Sequence, residues 1–459
     1  MENSPNYLAE MSVGELADIL SGTIKYDDAN KVIVFLGMLT AYTESDQLNI
    51  CLLGSSSSGK SYIAKEVSKF FPAEDVDDYA GISPTALKYN GAIRDEETGD
   101  YHVDYERKIM IFSEMPHSQL LANMRSLLSH DSKETRFVVT DFKGGKDGNK
   151  VLNTIVRGYP AVVFCSASSK LNEQEATRCL LLSPEVSREK IAAGVALAGE
   201  RMADPEAFNQ RIESDPRREL LRQRIRHIKE LDIQSVIVPN WRVIQQRFAA
   251  ETSSAMPRHQ RDITHLISLV KAVAMLNARQ RLDEHHDIIA EDADIDAAIE
   301  LWSKINASQM LGISPSVLDF YATYIVPLYL ESPVDMETGS KKGVTRKEII
   351  LYYNQLNGRT PNDDDLRRNI LPTLEANDMI ALEKDGRFQL IIPLVNLDEP
   401  AVAVDSDDSG SFQDWVDEHA DEITTQLDTT QHSDNSPDEQ SKSEKNQGRI
   451  YGINGEFLI

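Results

Sequence analysis

An α/β fold with a parallel sheet, a helical region behind it and a small mixed domain after that is predicted by three observations. A short apolar run from Leu48 to Leu53 passes through a loop of small residues into SYIAKEVSKFF, whose apolar residues recur at helical spacing. Two more runs, KIMIF (Lys108 to Phe112) and AVVFCSAS (Ala161 to Ser168), read as buried strands. From 190 to about 312 the pattern is helical throughout, and from Ser314 to Val395 it changes to short helices and a hairpin.

The loop in the first of these units, GSSSSGKS, fits G-x-x-x-x-G-K-[ST] with Gly54, Gly59, Lys60 and Ser61. The residue types suit a phosphate site. Glycines let backbone N–H groups of Ser55, Ser56, Ser57 and Ser58 wrap a β-phosphate, and the helix that begins near Tyr62 turns its N-terminus toward negative charge. Lys60 is expected to reach β/γ oxygens and Ser61 to ligate Mg²⁺, so the expected ligands are ATP and Mg²⁺.

Before the loop, VGELADILSG and ANKVIVFLGMLTAY predict two helices that pack over the nucleotide site. After it, GAIR and YHVDY flank the turn-rich DEETGD, a β-hairpin pattern. KIMIF ends in Ser113-Glu114, where an acidic pair is expected; Glu114 suits activation of water, and Ser113 offers a hydroxyl to a metal-bound water without charge. Met115 to His130 reads as a helix, and RFVVTD and VLNTIVRG as a second hairpin with Lys143, Lys146 and Lys150 near its tip, a candidate DNA-phosphate contact. Ser166, or Ser168, is a small hydroxyl able to sense a γ-phosphate. Arg178 and Arg188 follow, and Arg261, near the start of a helix, is expected to lean over the nucleotide. TRKEIILYYNQL, DDLRRNILPTLEAND and MIALEKDGRFQLII give the order of a winged helix, suited equally to DNA and to protein contact.

The chain has 459 residues and a formal charge of −26, which argues against a wholly phosphate-binding surface. Half of that charge is local: Asp398 to Ile459 holds 16 acidic and 3 basic residues. This tail reads as disordered, with FQDWVDEHADEITTQL and the terminal GRIYGINGEFLI as apolar islands for docking a replication partner. No signal-peptide profile or membrane-length apolar run occurs, so a cytoplasmic location is expected. Cys51, Cys165 and Cys179 lack C-x-x-C spacing and read as small core residues.

In this order the parts resemble the AAA+ ATPases of the MCM (minichromosome maintenance) and MCM-like type, of the kind encoded by bacterial and archaeal mobile elements and phages. The most specific stretch, GISPTALKYNGAIRDEETGDYHV ahead of KIMIFSE, is similar to the helix-2 insert of MCM proteins. The resemblance implies a P-loop ATPase core at 46–190 preceded by packing helices at 1–45. It implies a helical lid at 191–312, a winged helix at 313–396 and a disordered acidic tail at 397–459. It further implies that Ser166 is sensor 1, that Arg178 is a finger reaching a neighbouring subunit and that Arg261 is sensor 2. The function it implies is a ring-forming, homo-hexameric DNA helicase that moves hairpins along single-stranded or forked DNA. A nucleotide-switched initiator or loader and a AAA+ protein remodeller are the alternatives. Ser113, and the absence of a large DNA-binding region before the P-loop, depart from the cellular MCM pattern.

Overall fold

The computed structural model describes residues 6–130, 132–141, 150–166, 177–231, 233–250, 258–334, 341–385 and 388–395. Lys143, Lys146, Ser168 and the tail from 397 lie outside the described residues, so expectations about them are neither met nor overturned.

The centre is a five-stranded sheet. Its strands are β1 (Ile50–Leu53), β2 (Val76–Tyr79), β5 (Ile109–Phe112), β8 (Ala161–Ser166) and β9 (Leu180–Leu182), in the order β2-β5-β8-β1-β9. Every pairing is parallel. Because both faces of such a sheet are covered, β1, β5, β8 and β9 are buried at successive positions instead of alternating, whereas the edge strand β2 is only partly buried. Alternate residues serve two cores. Ile50, Leu52, Ile109, Ile111, Val163 and Cys165 face helices α1 (Val13–Leu20), α2 (Asp28–Leu39) and α3 (Lys60–Ser68), together with helices from the 191–312 region. Cys51, Leu53, Met110, Phe112, Val162 and Phe164 face α4 (Ser118–Leu128) on the other side. The three cysteines are buried, as expected of core residues.

The two predicted hairpins are present and are parts of one structure. β3 (Ile93–Arg94) pairs antiparallel with β4 (Tyr101–Asp104), and β6 (Glu134–Asp141) with β7 (Lys150–Arg157). A parallel β4–β7 pairing joins them into the four-stranded sheet β3-β4-β7-β6. Val103 and Val156 on this sheet pack onto the α4 side of the core. The turn between β3 and β4 is held by the Asp95 carboxylate, which accepts from the N–H groups of Glu97 (2.8 Å) and Thr98 (3.2 Å).

The 191–312 region departs from the all-helical expectation. β10 (Ser235–Ile237) and β11 (Asp287–Ile289) form a two-stranded parallel sheet between its helices, because each offers a run of β-branched residues too short to show periodicity. β9 ends the central sheet on one side, and its edge is closed by a side chain. Gln309 accepts from the Leu181 N–H (3.2 Å) and donates to the Leu181 carbonyl (2.8 Å), standing in for a further strand. After it, residues 315–395 build their own core around Phe320, Tyr321, Ile349, Leu366 and Ile391, in which helices precede a sheet ordered β12 (Val344–Thr345), β14 (Phe388–Pro393), β13 (Ile380–Asp385). Among the described residues no helix is long and apolar enough to cross a membrane.

Gly158 links β7 to β8 with φ +83°, and a Cβ there would meet the Glu106 backbone nitrogen at 2.4 Å and its Cα at 2.8 Å. Left-handed backbone and an unyielding neighbour both oppose a side chain. Gly158→Ala is therefore expected to destabilise the fold by about 2–4 kcal/mol, read by denaturant unfolding; an unchanged midpoint would mean that this close approach is not made.

Candidate functional site

In a parallel sheet all strands end at the same edge, and loops leaving that edge are where ligands are held. β1 ends at Leu53 and runs directly into Gly54. Leu53 is in register with Ser166, the buried last residue of β8. Phe112 is in register with Phe164 one strand further on, which places Ser113 and Glu114 at the same edge. The loop Gly54 to Lys60, the Ser113-Glu114 pair and Ser166 are thus brought together as the sequence predicts.

The loop turns into α3 through two residues with left-handed backbone, Ser57 (φ 66°) and Gly59 (φ 99°). Gly59 caps α3, whose first residues are Lys60 and Ser61. The Lys60 ammonium is buried and donates to the carbonyls of Gly54 (2.8 Å) and Ser55 (2.6 Å), so it lies inside the curl of the loop. Burial lowers its pKa from the ordinary lysine value. Ser61 Oγ donates to the carbonyl of Ser113 at 3.3 Å, linking the start of α3 to the end of β5. Burial pushes the nearby Cys165 thiol up to about 11, so it is a neutral packing group beneath Ser61. Glu114 is exposed and forms no ion pair among the described residues.

A cleft of about 670 Å³ borders Ser55 to Gly59 and Tyr62. Its far walls come from the segment Thr23 to Asp27, in the region expected to pack over the site, and from the helix Arg188–Ala203. The N-terminal segment is fixed by buried groups. Lys31 Nζ donates to Ser21 Oγ (2.6 Å) and to the carbonyls of Ile24 (3.2 Å) and Tyr26 (3.1 Å), and pairs with Asp28 (2.5 Å). Asp27, itself left-handed at φ 54°, accepts from the Glu185 N–H (2.7 Å) and pairs with Lys190. Tyr62 donates to the Thr23 carbonyl (2.7 Å) while the Arg201 guanidinium lies over its ring at 5.5 Å. The cleft lining holds Lys25, Lys190, Arg201 and Arg359 against Asp27 and Glu185. In a strongly acidic chain this local excess of cations suits an anionic ligand.

The cations lining the cleft, Lys25, Lys190, Arg201 and Arg359, are not among the residues that the sequence singles out. Arg359 follows Gly358, the left-handed cap of the helix Arg346–Asn357, and belongs to the C-terminal domain. It also lines a second cleft of about 720 Å³ between Gly54, Ser55 and Ser58 and that domain. No pattern around Arg359 signals a ligand.

Arg178 and Arg261 sit elsewhere. Arg178 precedes β9 and so lies at the amino edge of the sheet, where its Nε donates to Ser129 Oγ (2.6 Å) just past the end of α4. Arg261, in the first turn of the helix His259–Leu276, donates to Thr177 beside it. Neither lines the clefts that border the loop, so Arg261 keeps company with Arg178 and not with the residues it was expected to cover. Lys150 opens β7, in backbone register with Asp141, the last residue of β6.

The arginine face also holds His265. Burial, then the charges of His130, Arg258 and Arg261, bring its pKa down to about 4 from the ordinary 6.5. The folded chain therefore keeps this ring neutral while the unfolded chain protonates it, so its contribution is intact above pH 6.5 and lost as pH falls toward 4. His265→Gln is expected to flatten the stability profile between those pH values by on the order of 2 kcal/mol. Parallel profiles for variant and wild type would contradict this.

Neither a scan against protein-family models nor a search of curated proteins returns a match to this chain.

Proposed function

We propose that the chain is an ATP-hydrolysing P-loop motor of the AAA+, MCM-like type that assembles into a ring and acts on DNA. The observation that carries this reading is the polarity of the sheet. The phosphate loop, Glu114 and Ser166 share the carboxyl edge, whereas Arg178 and Arg261 share a surface at the amino edge. A four-residue strand spans roughly 13 Å, so Arg178 cannot fold back onto its own loop. In this reading an arginine so placed serves the site of a neighbouring copy.

In this reading the loop N–H groups and the α3 N-terminus hold the phosphates, and Lys60 exchanges its carbonyl partners for β/γ oxygens. Glu114, open to solvent, takes a proton from the attacking water. Ser166 orients that water, and Arg178 of the adjoining copy neutralises charge developing on the transferred phosphoryl group, an effect of about 10³ to 10⁵ in rate. The donor set suits Mg²⁺, which takes few protein ligands and keeps several waters: Ser61 supplies a hydroxyl beside the Ser113 carbonyl. Bound there, the ion would screen the phosphate charge. Glutamate as base, with Lys143, Lys146 and Lys150 as contacts to the phosphates of DNA, completes the motor. The C-terminal domain has the order of helices and strands of a winged helix.

The uncharged Ser113 favours one rival, a nucleotide-switched initiator that binds DNA without unwinding it. ATP turnover with and without single-stranded and forked DNA separates the two. The motor reading expects stimulation by DNA and fork opening, with turnover falling at least about 100-fold in Glu114→Gln. It also expects that Arg178→Ala and Lys60→Ala, each inactive alone, regain part of the turnover when mixed, because one copy's arginine then serves the other's loop. Turnover that is indifferent to DNA, or no recovery on mixing, would contradict it.

A further inference from the structure

β2 is the strand that the sequence conceals, because VDDY places two aspartates in four residues. It pairs with β5 with Asp78 opposite Ile111 and Tyr79 opposite Phe112, and the ladder continues past both strands as Ser113 N–H donates to the Tyr79 carbonyl (3.0 Å). The two strands therefore end side by side at the carboxyl edge. Alternation sends neighbouring side chains to opposite faces. Tyr79 goes to the α4 side, where it lies against Phe112 at 5.3 Å. Asp78 goes to the α3 side.

There it meets the residues of the phosphate site. One carboxylate oxygen accepts from Ser113 Oγ at 3.4 Å, and the other pairs with Lys65 at 2.9 Å. Lys65 is one turn after Ser61 on α3, and Ser61 donates to the Ser113 carbonyl at 3.3 Å. Ser61, Ser113 and Asp78 thus form a connected row across α3, β5 and β2. Asp78 is the carboxylate bonded to Ser113, the position at which the sequence leads one to expect an acid and finds none. Its side chain is 41% exposed, open enough to meet a hydrated ion.

We propose that Asp78 supplies the negative charge that orders the water shell of a nucleotide-bound divalent cation held by Ser61, with Ser113 as the hydroxyl between them. This rests on the nucleotide-binding reading above. Mg²⁺ is commonly held through one or two carboxylates and several waters, so a carboxylate displaced by one strand is chemically equivalent to one at Ser113 if a water spans the gap. The competing explanation is a surface ion pair, and such pairs contribute little on their own. An ion pair alone gives no reason for the second oxygen to face Ser113.

The test is the affinity of the full chain for a fluorescent ATP analogue, measured in Mg²⁺ and again in EDTA. The ratio of the two affinities is the readout, and it requires no turnover. Wild type is expected to bind more tightly in Mg²⁺. Asp78→Asn should lower that ratio about tenfold while leaving binding in EDTA unchanged, the size of effect seen when outer ligands of a metal are removed. Adding Ser113→Asp to Asp78→Asn should restore the ratio, and Lys65→Met, which keeps the carboxylate, should keep most of it. An unchanged ratio in Asp78→Asn would overturn the assignment. So would an equal loss in Lys65→Met, which would mark the ion pair as the operative feature. Binding of the analogue by wild type in neither condition would instead overturn the nucleotide reading, and this assignment with it.

Discussion

Five strands running in one direction impose a polarity on this protein, and the placement of nearly every group discussed above follows from it. β1 lies between β8 and β9, in register with both. Burial on two faces leaves little room for polar side chains within β1, β5, β8 and β9, so their chemistry is confined to their ends. At the carboxyl edge the chain supplies a glycine- and serine-rich loop, a glutamate and a buried serine. At the amino edge it supplies arginines. The same constraint that stabilises the core therefore sorts the loop, the glutamate and the buried serine to one edge and the arginines to the other.

The walls of the main cleft depend on a second layer of interactions. The segment before α2 has no regular structure of its own, and Tyr26 and Asp27 both adopt left-handed backbone. Backbone of this kind persists only where its surroundings over-determine it. Here a fully buried lysine provides that. Lys31 gathers two carbonyls, a hydroxyl and a carboxylate from residues Ser21 to Asp28, and removing a partner from a buried charge costs several kcal/mol. Asp27 and Lys190 extend the hold to the helix beyond β9. The cleft's shape is thus set by buried polar groups and its charge by the exposed ones.

Much of the core was legible in the sequence because its signals are local. The loop motif, the flanking strand and helix, the KIMIF strand, the strand AVVFCS, both hairpins and the two N-terminal helices stand where composition and spacing put them. What escaped depends on long-range packing. β2 was hidden by its aspartates, and Asp78 with it. The parallel pairing of β4 with β7 joins segments some fifty residues apart, and no pattern within either strand announces it. β10 and β11 are three residues each, too short for a period to develop. Arg261 was correctly read at the start of a helix, but the side of the sheet it serves is fixed by how that helix packs. Lys190 and Arg359 are ordinary surface cations until the fold brings them to one cleft.

The central claim is that the loop from Gly54 to Ser61 holds the phosphates of a nucleotide at this edge. The most direct test is calorimetric titration of ATP with Mg²⁺ into the wild-type chain and into Lys60→Ala, with both first shown to unfold at the same midpoint. The account predicts saturable one-site binding to wild type and none to the variant. Equal binding to both, or no binding to wild type, would contradict it.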